Sequence, residues 1–299
     1  MIRLEDTSGS AVAAAIASER HRQGSPATGM VLTMLILADE EYQADATSAA
    51  VAAARQHPMR IVTLIPRPGR QAARLDAEIA VGGDDGPGEV AVLRLRGQLA
   101  EHANSIAVPL LLSDTPVVAY WPHDAPVIPA DDPIGRHAQR RITDTATTED
   151  VVAELAVRSS GYRPGDTDLS WTRLTPWRSA LAAALDQPTP SIQAATVVAE
   201  PSNPSAMLLR AWLHQRLRVP VASETSDGPG ITEVRITSQE GDLILRRTDK
   251  NQAVVTRPNA PESHIGLPRR DLAELLAEDL RRLDPDEIYG QTITRMDHS

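Results

Sequence analysis

Cysteine is absent from all 299 residues. The chain can therefore form no disulfide, thiolate nucleophile, Cys-ligated zinc site or thiol redox switch. Phenylalanine is absent too, and aromatic residues make up 3% of the sequence. The core must be built from Leu, Val, Ile and Ala, and each of the four Trp residues carries an outsized share of large apolar area. Lys250 is the only lysine among 30 basic residues. That bias accords with a GC-rich coding sequence or with a use for planar guanidinium forks. At a formal charge of −10 the chain lacks the basic face of a general nucleic-acid binder, though a local basic patch remains compatible. Long apolar runs are missing as well. "MVLTMLILA" is strand-sized, and the leading segment carries Glu5, Asp6, Glu19 and Arg20, unlike a signal peptide or membrane helix. The expectation is a cytoplasmic protein with no membrane contact.

The usual signatures of chemistry are also missing. A dinucleotide-binding turn needs glycines where backbone approaches pyrophosphate, but the turn after the first long strand reads "ADEEYQAD", acidic and glycine-free. "GGDDGPG" has the glycines but is acidic and lacks a Lys–Ser/Thr pair. No His–Glu–x–x–His or Gly–x–Ser–x–Gly segment occurs. His123 beside Asp124, with Asp131 and Asp132 nearby, could bind metal or form a Pro-rich loop with a cap at Asp132–Pro133; the loop is the preferred reading. No catalytic residue, metal site or cofactor is assigned.

What is present is a strong alternation of elements. "SGSAVAAAIASERHR" predicts a helix ending near Gly24, "GMVLTMLILAD" a buried strand, "DATSAAVAAARQHP" a helix and "MRIVTLIP" a second strand, an order that implies a parallel pair. "ARLDAEIAVGG", "GEVAVLRLRG", "TPVVAYWP" and "RRITDT" read as strands. "LAEHANSIAVPLLLS", "DPIGRHAQ" and "TTEDVVAELAVRSS" read as helical, the last with a capping box at Thr147 or Thr148. After "TVVAE" and a helix capped by Asn203–Pro204, "ITEVRITS", "DLILRRT" and "QAVVTRP" predict an antiparallel meander. "ASETSDGPG" reads as a loop. "LPRRDLAELLAEDLRRLD" predicts one closing helix with a stripe of Leu272, Leu275, Leu276, Leu280 and Leu283. The fold class is α/β: an N-terminal strand–helix domain with a mixed or parallel sheet over 1–165, and a C-terminal α+β domain over 166–299.

Two places could carry recognition. Arg136, Arg140 and Arg141 could hold a sugar phosphate or a partner's carboxylate, or form solvated surface. In "DTDLSWTRLTPWRSALAAALDQ" scarce aromatics gather at a helix start. Thr175 can cap, Pro176 suits the first turn, and the helix would run to Gln187 before Pro188. Trp177, Leu181, Ala184 and Leu185 make its inner stripe. Trp171 and Arg173 precede the cap and are less constrained. The stretch is either a plug between two halves of the chain or an interface anchor of Asp168, Trp171, Arg173 and Arg178.

"DLSWTRLTPWRSALAAALD" resembles the signature of the OpcA family, the glucose-6-phosphate dehydrogenase assembly proteins. "LLLSDTPVVAYWP", "DPIGRHAQRRITDT" and "NPSAMLLRAWLHQRLRVPV" are similar to segments of its actinobacterial members. The resemblance runs from about Met30 to the closing helix. It implies a non-catalytic partner that binds glucose-6-phosphate dehydrogenase and promotes or activates its working oligomer. The cysteine-linked control associated with cyanobacterial members cannot carry over. The alternative is an α/β sensor binding a sugar phosphate or nucleotide near Asp114 and Arg140–Arg141.

Overall fold

The computed structural model describes residues 1–22, 29–82, 88–186 and 191–296. Gly24, residues 83–87 of the acidic glycine-rich segment, and Gln187–Pro188 lie outside them. In chain order the first elements are β1 (Ile2–Leu4), α1 (Gly9–Arg22), β2 (Leu32–Leu37), α2 (Gln43–Ala53), β3 (Met59–Arg67), β4 (Arg74–Val81), β5 (Glu89–Arg96), α3 (Ala103–Ala107), β6 (Val117–Trp121) and β7 (Arg140–Thr143). Then come α4 (Val151–Gly161), β8 (Asp166–Asp168), α5 (Leu169–Thr172), α6 (Thr175–Leu185), β9 (Ile192–Ala199), α7 (Pro204–Leu217) and β10 (Val221–Thr225). The chain continues through β11 (Ile231–Ser238), β12 (Gly241–Arg247), β13 (Gln252–Thr256), β14 (Ser263–Gly266), α8 (Leu272–Asp279) and α9 (Glu287–Ile293).

Two compact units form. The first holds 1–147, 165–167 and 271–285; the second holds 148–164, 168–270 and 286–299. The chain passes between them more than once, so neither unit is the single continuous stretch that the sequence predicts.

The first unit is built on a sheet ordered β1-β4-β5-β3-β2-β6-β7-β8. β5, β3, β2, β6 and β7 are parallel neighbours. β4 and β1 extend that edge antiparallel. β2 and β3 are buried almost continuously, as strands covered on both faces must be, and their sequences are near-continuous apolar runs interrupted by Thr33, Arg60 and Thr63. β4 and β5 alternate buried and half-buried residues, the mark of a sheet with one covered face.

A charged group sits inside this unit. Glu89, at the start of β5, takes Arg60 Nε at 2.6 Å and Arg20 Nε at 2.5 Å. Arg60 also donates to Leu110 O at 2.7 Å. Both Glu89 and Arg60 are buried, so each needs the other to remain ionised without a large desolvation cost.

The helix expected over 267–284 from its leucines is shorter, since α8 covers only Leu272–Asp279 of it. α8 opens with an Asp271–Glu274 capping box, and the chain re-enters helix only at α9. Pro285 disfavours helical geometry in the residue before it, and Asp286 caps α9. α8 belongs to the first unit, where it packs on α2 and its Ala277 O accepts from His57 Nε2 at 2.9 Å. The cap of α4 is Asp150, accepting from Ala153 N at 3.0 Å, and not a threonine. "DPIGRHAQ" makes only a single 3-10 turn at Gly135–His137. Residues 97–110 break into 3-10 segments around the short α3.

The second unit carries a sheet ordered β10-β9-β11-β12-β13-β14. The expected meander is present as β11 to β14, all antiparallel. β9, α7 and β10 add a parallel strand–helix–strand unit, so part of "ASETSDGPG" is an edge strand rather than loop. Asn203 caps α7 as expected, accepting from Ala206 N at 2.8 Å. The core joins Trp177 and Leu181 of α6 and Leu208, Leu209 and Leu213 of α7 to Val197, Val234, Ile236 and Leu245 of the sheet.

Glu89→Ala leaves Arg60 buried with its carboxylate gone, and should cost about 3–5 kcal/mol. Glu5→Ala removes an exposed partner of Arg74 and should change stability by no more than about 0.5 kcal/mol. Thermal denaturation of the two variants checks the contrast; equal shifts would contradict the buried-pair account.

Candidate functional site

The aromatic stretch begins with Asp168, which is fully buried. Its Oδ1 accepts from Ser170 N at 2.8 Å and starts the single turn of α5. That turn runs on without a gap. Arg173 N bonds to Leu169 O, Leu174 N to Trp171 O, and Arg178 N to Leu174 O. Thr175 is consequently the first residue of α6 and not its cap. No side chain caps this helix, and Pro176 occupies its first turn, where a missing N–H costs nothing.

Trp171 is 2% exposed and Trp177 4%, so the freedom expected for Trp171 is not found. Its indole is held by several groups at once. The Arg178 guanidinium carbon lies 3.8 Å from the ring centroid. Tyr289 of α9 is 5.7 Å away, and Tyr289 meets Tyr162 edge-on at 5.9 Å. The indole Nε1 donates to Asp286 Oδ2 at 2.8 Å. The other oxygen of Asp286 caps α9, accepting from Ile288 N and Tyr289 N, each at 2.9 Å. One carboxylate thus fixes both a helix end and an indole. The sequence hides this arrangement because Asp286 lies 115 residues from Trp171.

Of the four candidate contact residues, Asp168 and Trp171 are buried, and Arg178 is half-buried against the indole. Arg173 is half-buried and faces a pocket of about 240 Å³ in the second unit. That pocket was not foreseen. Its other cations are Arg247, Arg269 and Arg270, which end β12 and lead into α8, far apart in sequence.

Arg136, Arg140 and Arg141 do not converge on open space. Arg140 Nη2 donates to Asp279 Oδ1 at 2.6 Å and its Nη1 to Asp284 O at 3.2 Å. Arg141 pairs with Asp166 and donates to Ala138 O at 2.7 Å. Both are buried, and Arg136 is exposed. The expected anion site at Arg140–Arg141 is therefore filled by carboxylates of the same unit. Asp114 is exposed, in a turn with φ of 59°.

The strand order reverses between β2 and β6, the point at which sheets of this order bind dinucleotides at the carboxyl ends of the strands. Here Asp39 Oδ1 takes the N–H groups of Glu41 and Tyr42, each at 3.0 Å, so a carboxylate sits where phosphate would. Glu40 is held by Arg67 and Arg94; its hydrogen bond to Arg67 does most to keep its carboxyl below the usual range. Tyr42 and His123 stack at 4.5 Å. Among the described residues no His, Asp and Glu group is arranged to hold a metal ion. Asp132 instead serves its loop, accepting from Ile134 N at 2.8 Å.

Residues 50–160 match the family model described as glucose-6-phosphate dehydrogenase subunit N-terminal domain, and residues 164–293 match its C-terminal counterpart. No curated protein matches the chain. Among solved structures, an oxidoreductase from Sinorhizobium meliloti is similar at 8% identity and a TM-score of 0.49, with 89% of this chain and 95% of that one covered. A dehydrogenase (MviM) from Clostridium difficile is similar at 7% identity and 0.48, with 89% and 96% covered.

Trp171→Ala should cost about 3–5 kcal/mol, as loss of a buried indole does. Arg178→Ala should cost about 1 kcal/mol through the lost ring contact. Because the two side chains touch, their effects should be non-additive by at least about 0.5 kcal/mol. Denaturation of both single variants and the double variant measures this; strict additivity would mean that the stacking contributes nothing.

Proposed function

The chain belongs to the OpcA family of glucose-6-phosphate dehydrogenase assembly proteins, and from that premise we propose that it is a non-catalytic cytoplasmic partner that binds the dehydrogenase, holds it in its active oligomer and raises its turnover. The oxidative pentose phosphate pathway and its NADPH supply would be the beneficiaries. The observation that carries this reading is the match of both family models, one after the other, along residues 50–160 and 164–293. The turn after β2 in the first unit supports it. A sheet ordered like a dinucleotide-binding one presents a carboxylate at the turn where phosphate would need N–H groups. Among the described residues no helix is long and apolar enough to cross a membrane.

Activation by a partner has a thermodynamic requirement. The partner must bind the active form of the enzyme more tightly than the inactive form, and it shifts the population by that difference alone. We assign contact with the dehydrogenase to Arg173. Asp168, Trp171 and Arg178 serve it from beneath by fixing the α5–α6 turn. Since the chain has no cysteine, any thiol-dependent response of the pair resides in the dehydrogenase.

Initial rates of glucose-6-phosphate dehydrogenase, titrated with this protein, test the proposal. The rate should rise and saturate, while the protein alone gives no turnover with glucose 6-phosphate and NADP. Unchanged rates at every ratio, or turnover without the dehydrogenase, would contradict it. Arg173→Ala should keep the melting temperature within a few degrees, yet raise the half-saturating concentration about fivefold or more, a loss of about 1 kcal/mol. We take this chain, at a net charge of −10, to meet an electropositive face of the dehydrogenase, so association should also slow as salt shortens the screening length to about 8–10 Å.

A further inference from the structure

We propose that the arginine-lined pocket of the second unit is a binding site for a small phosphate monoester. Four guanidinium groups, from Arg173, Arg247, Arg269 and Arg270, line a space of about 240 Å³, and among the described residues its wall contains no Asp or Glu. Such a concentration of one sign on the wall of a single pocket suits an anion entering it. The charges cannot relax apart freely. Arg247 Nη1 donates to Leu267 O at 2.5 Å and to Lys250 O at 3.2 Å. Its Nε is buried with no hydrogen-bond acceptor. Arg269 Nη2 donates to Pro229 O at 2.5 Å.

Burial first, and the charge of Arg269 second, lower the Arg247 pKa to about 10. Arg247 therefore remains charged at neutral pH, but against its surroundings. An anion in the pocket would relieve both effects. Gly230 has a φ of +64°, and a Cβ there would lie 3.3 Å from Arg269 Nη1; the glycine lets backbone and guanidinium approach.

The chemistry narrows the ligand class. Guanidinium forks match phosphate oxygens bidentately. A phosphate has enough oxygens to meet several arginines at once, whereas a single carboxylate has two. The volume falls below the usual range for drug-sized ligands, about 300–1,000 Å³, so the phosphate carries only a small skeleton. Trp177 and Leu174 offer that skeleton an apolar wall. The nearby carboxylate of Glu200 is engaged by Asn203 Nδ2 at 2.9 Å.

Isothermal titration calorimetry on the full chain alone tests this site independently of any dehydrogenase, using glucose 6-phosphate as the phosphate monoester, glucose as its neutral analogue and succinate as a carboxylate probe. Glucose 6-phosphate should bind saturably at one site, glucose should not bind, and succinate should bind at least tenfold more weakly. Arg269→Gln should weaken the phosphate probe tenfold or more with an unchanged circular dichroism spectrum. Arg173→Gln repeats the test if the first substitution disturbs the Pro229 contact. Arg281→Gln, an exposed change in the other unit, should leave binding alone. Absence of saturation, equal binding of succinate, or undiminished binding in the folded Arg269 and Arg173 variants would overturn the assignment.

Discussion

The second unit depends on one indole and the groups that hold it. Trp171 is stacked by Arg178 of α6, touched by Tyr289 of α9, and hydrogen-bonded to Asp286 at the start of that same helix. In a chain without phenylalanine there is little other large apolar surface to lock these helices together. The indole does so through area and through direction: its ring fills the space, and its one N–H fixes the orientation. The Asp168 cap positions the turn that carries it, and the pocket wall at Arg173 is set directly by that turn.

The first unit has a strand order that other proteins use to bind dinucleotides, with a carboxylate at the corresponding turn. Its five parallel strands are arranged as in sheets that bind dinucleotides. What makes such a sheet bind phosphate is a glycine turn with unpaired N–H groups at a helix start. Here the N–H groups of Glu41 and Tyr42 are taken by Asp39, and Tyr42 stacks on His123. Function must be read from the groups at the site, since the fold alone does not settle it.

Much of this was legible in the residues, for local reasons. Largely apolar runs mark β2 and β3, alternation marks β4 and β5, and Asn203–Pro204 marks the start of α7. What escaped was everything set by distant partners. The leucines of 272–283 share a helical spacing, but α8 ends at Asp279 and packs against α2, leaving Leu283 outside the helix. Arg140 and Arg141 read as a basic patch because Asp279 and Asp166 are remote in sequence. Trp171 reads as unconstrained because Asp286 and Tyr289 lie more than a hundred residues away. Conversely, Arg247 reads as an ordinary strand end and Arg269–Arg270 as the start of the closing helix, and only folding brings them to Arg173.

Both units pair buried arginines internally, the first with Glu89, Asp279 and Asp166 and the second through Arg158 and Glu154. The second also gathers arginines around a pocket without a carboxylate on its described wall. The central claim, that this chain works by assembling with glucose-6-phosphate dehydrogenase, is tested most directly by native mass spectrometry of the two proteins mixed at equal concentration. The account predicts a species whose mass contains both chains, together with a larger share of the dehydrogenase in its active oligomer. A spectrum showing only the two separate proteins, with the dehydrogenase distribution unchanged, would contradict it.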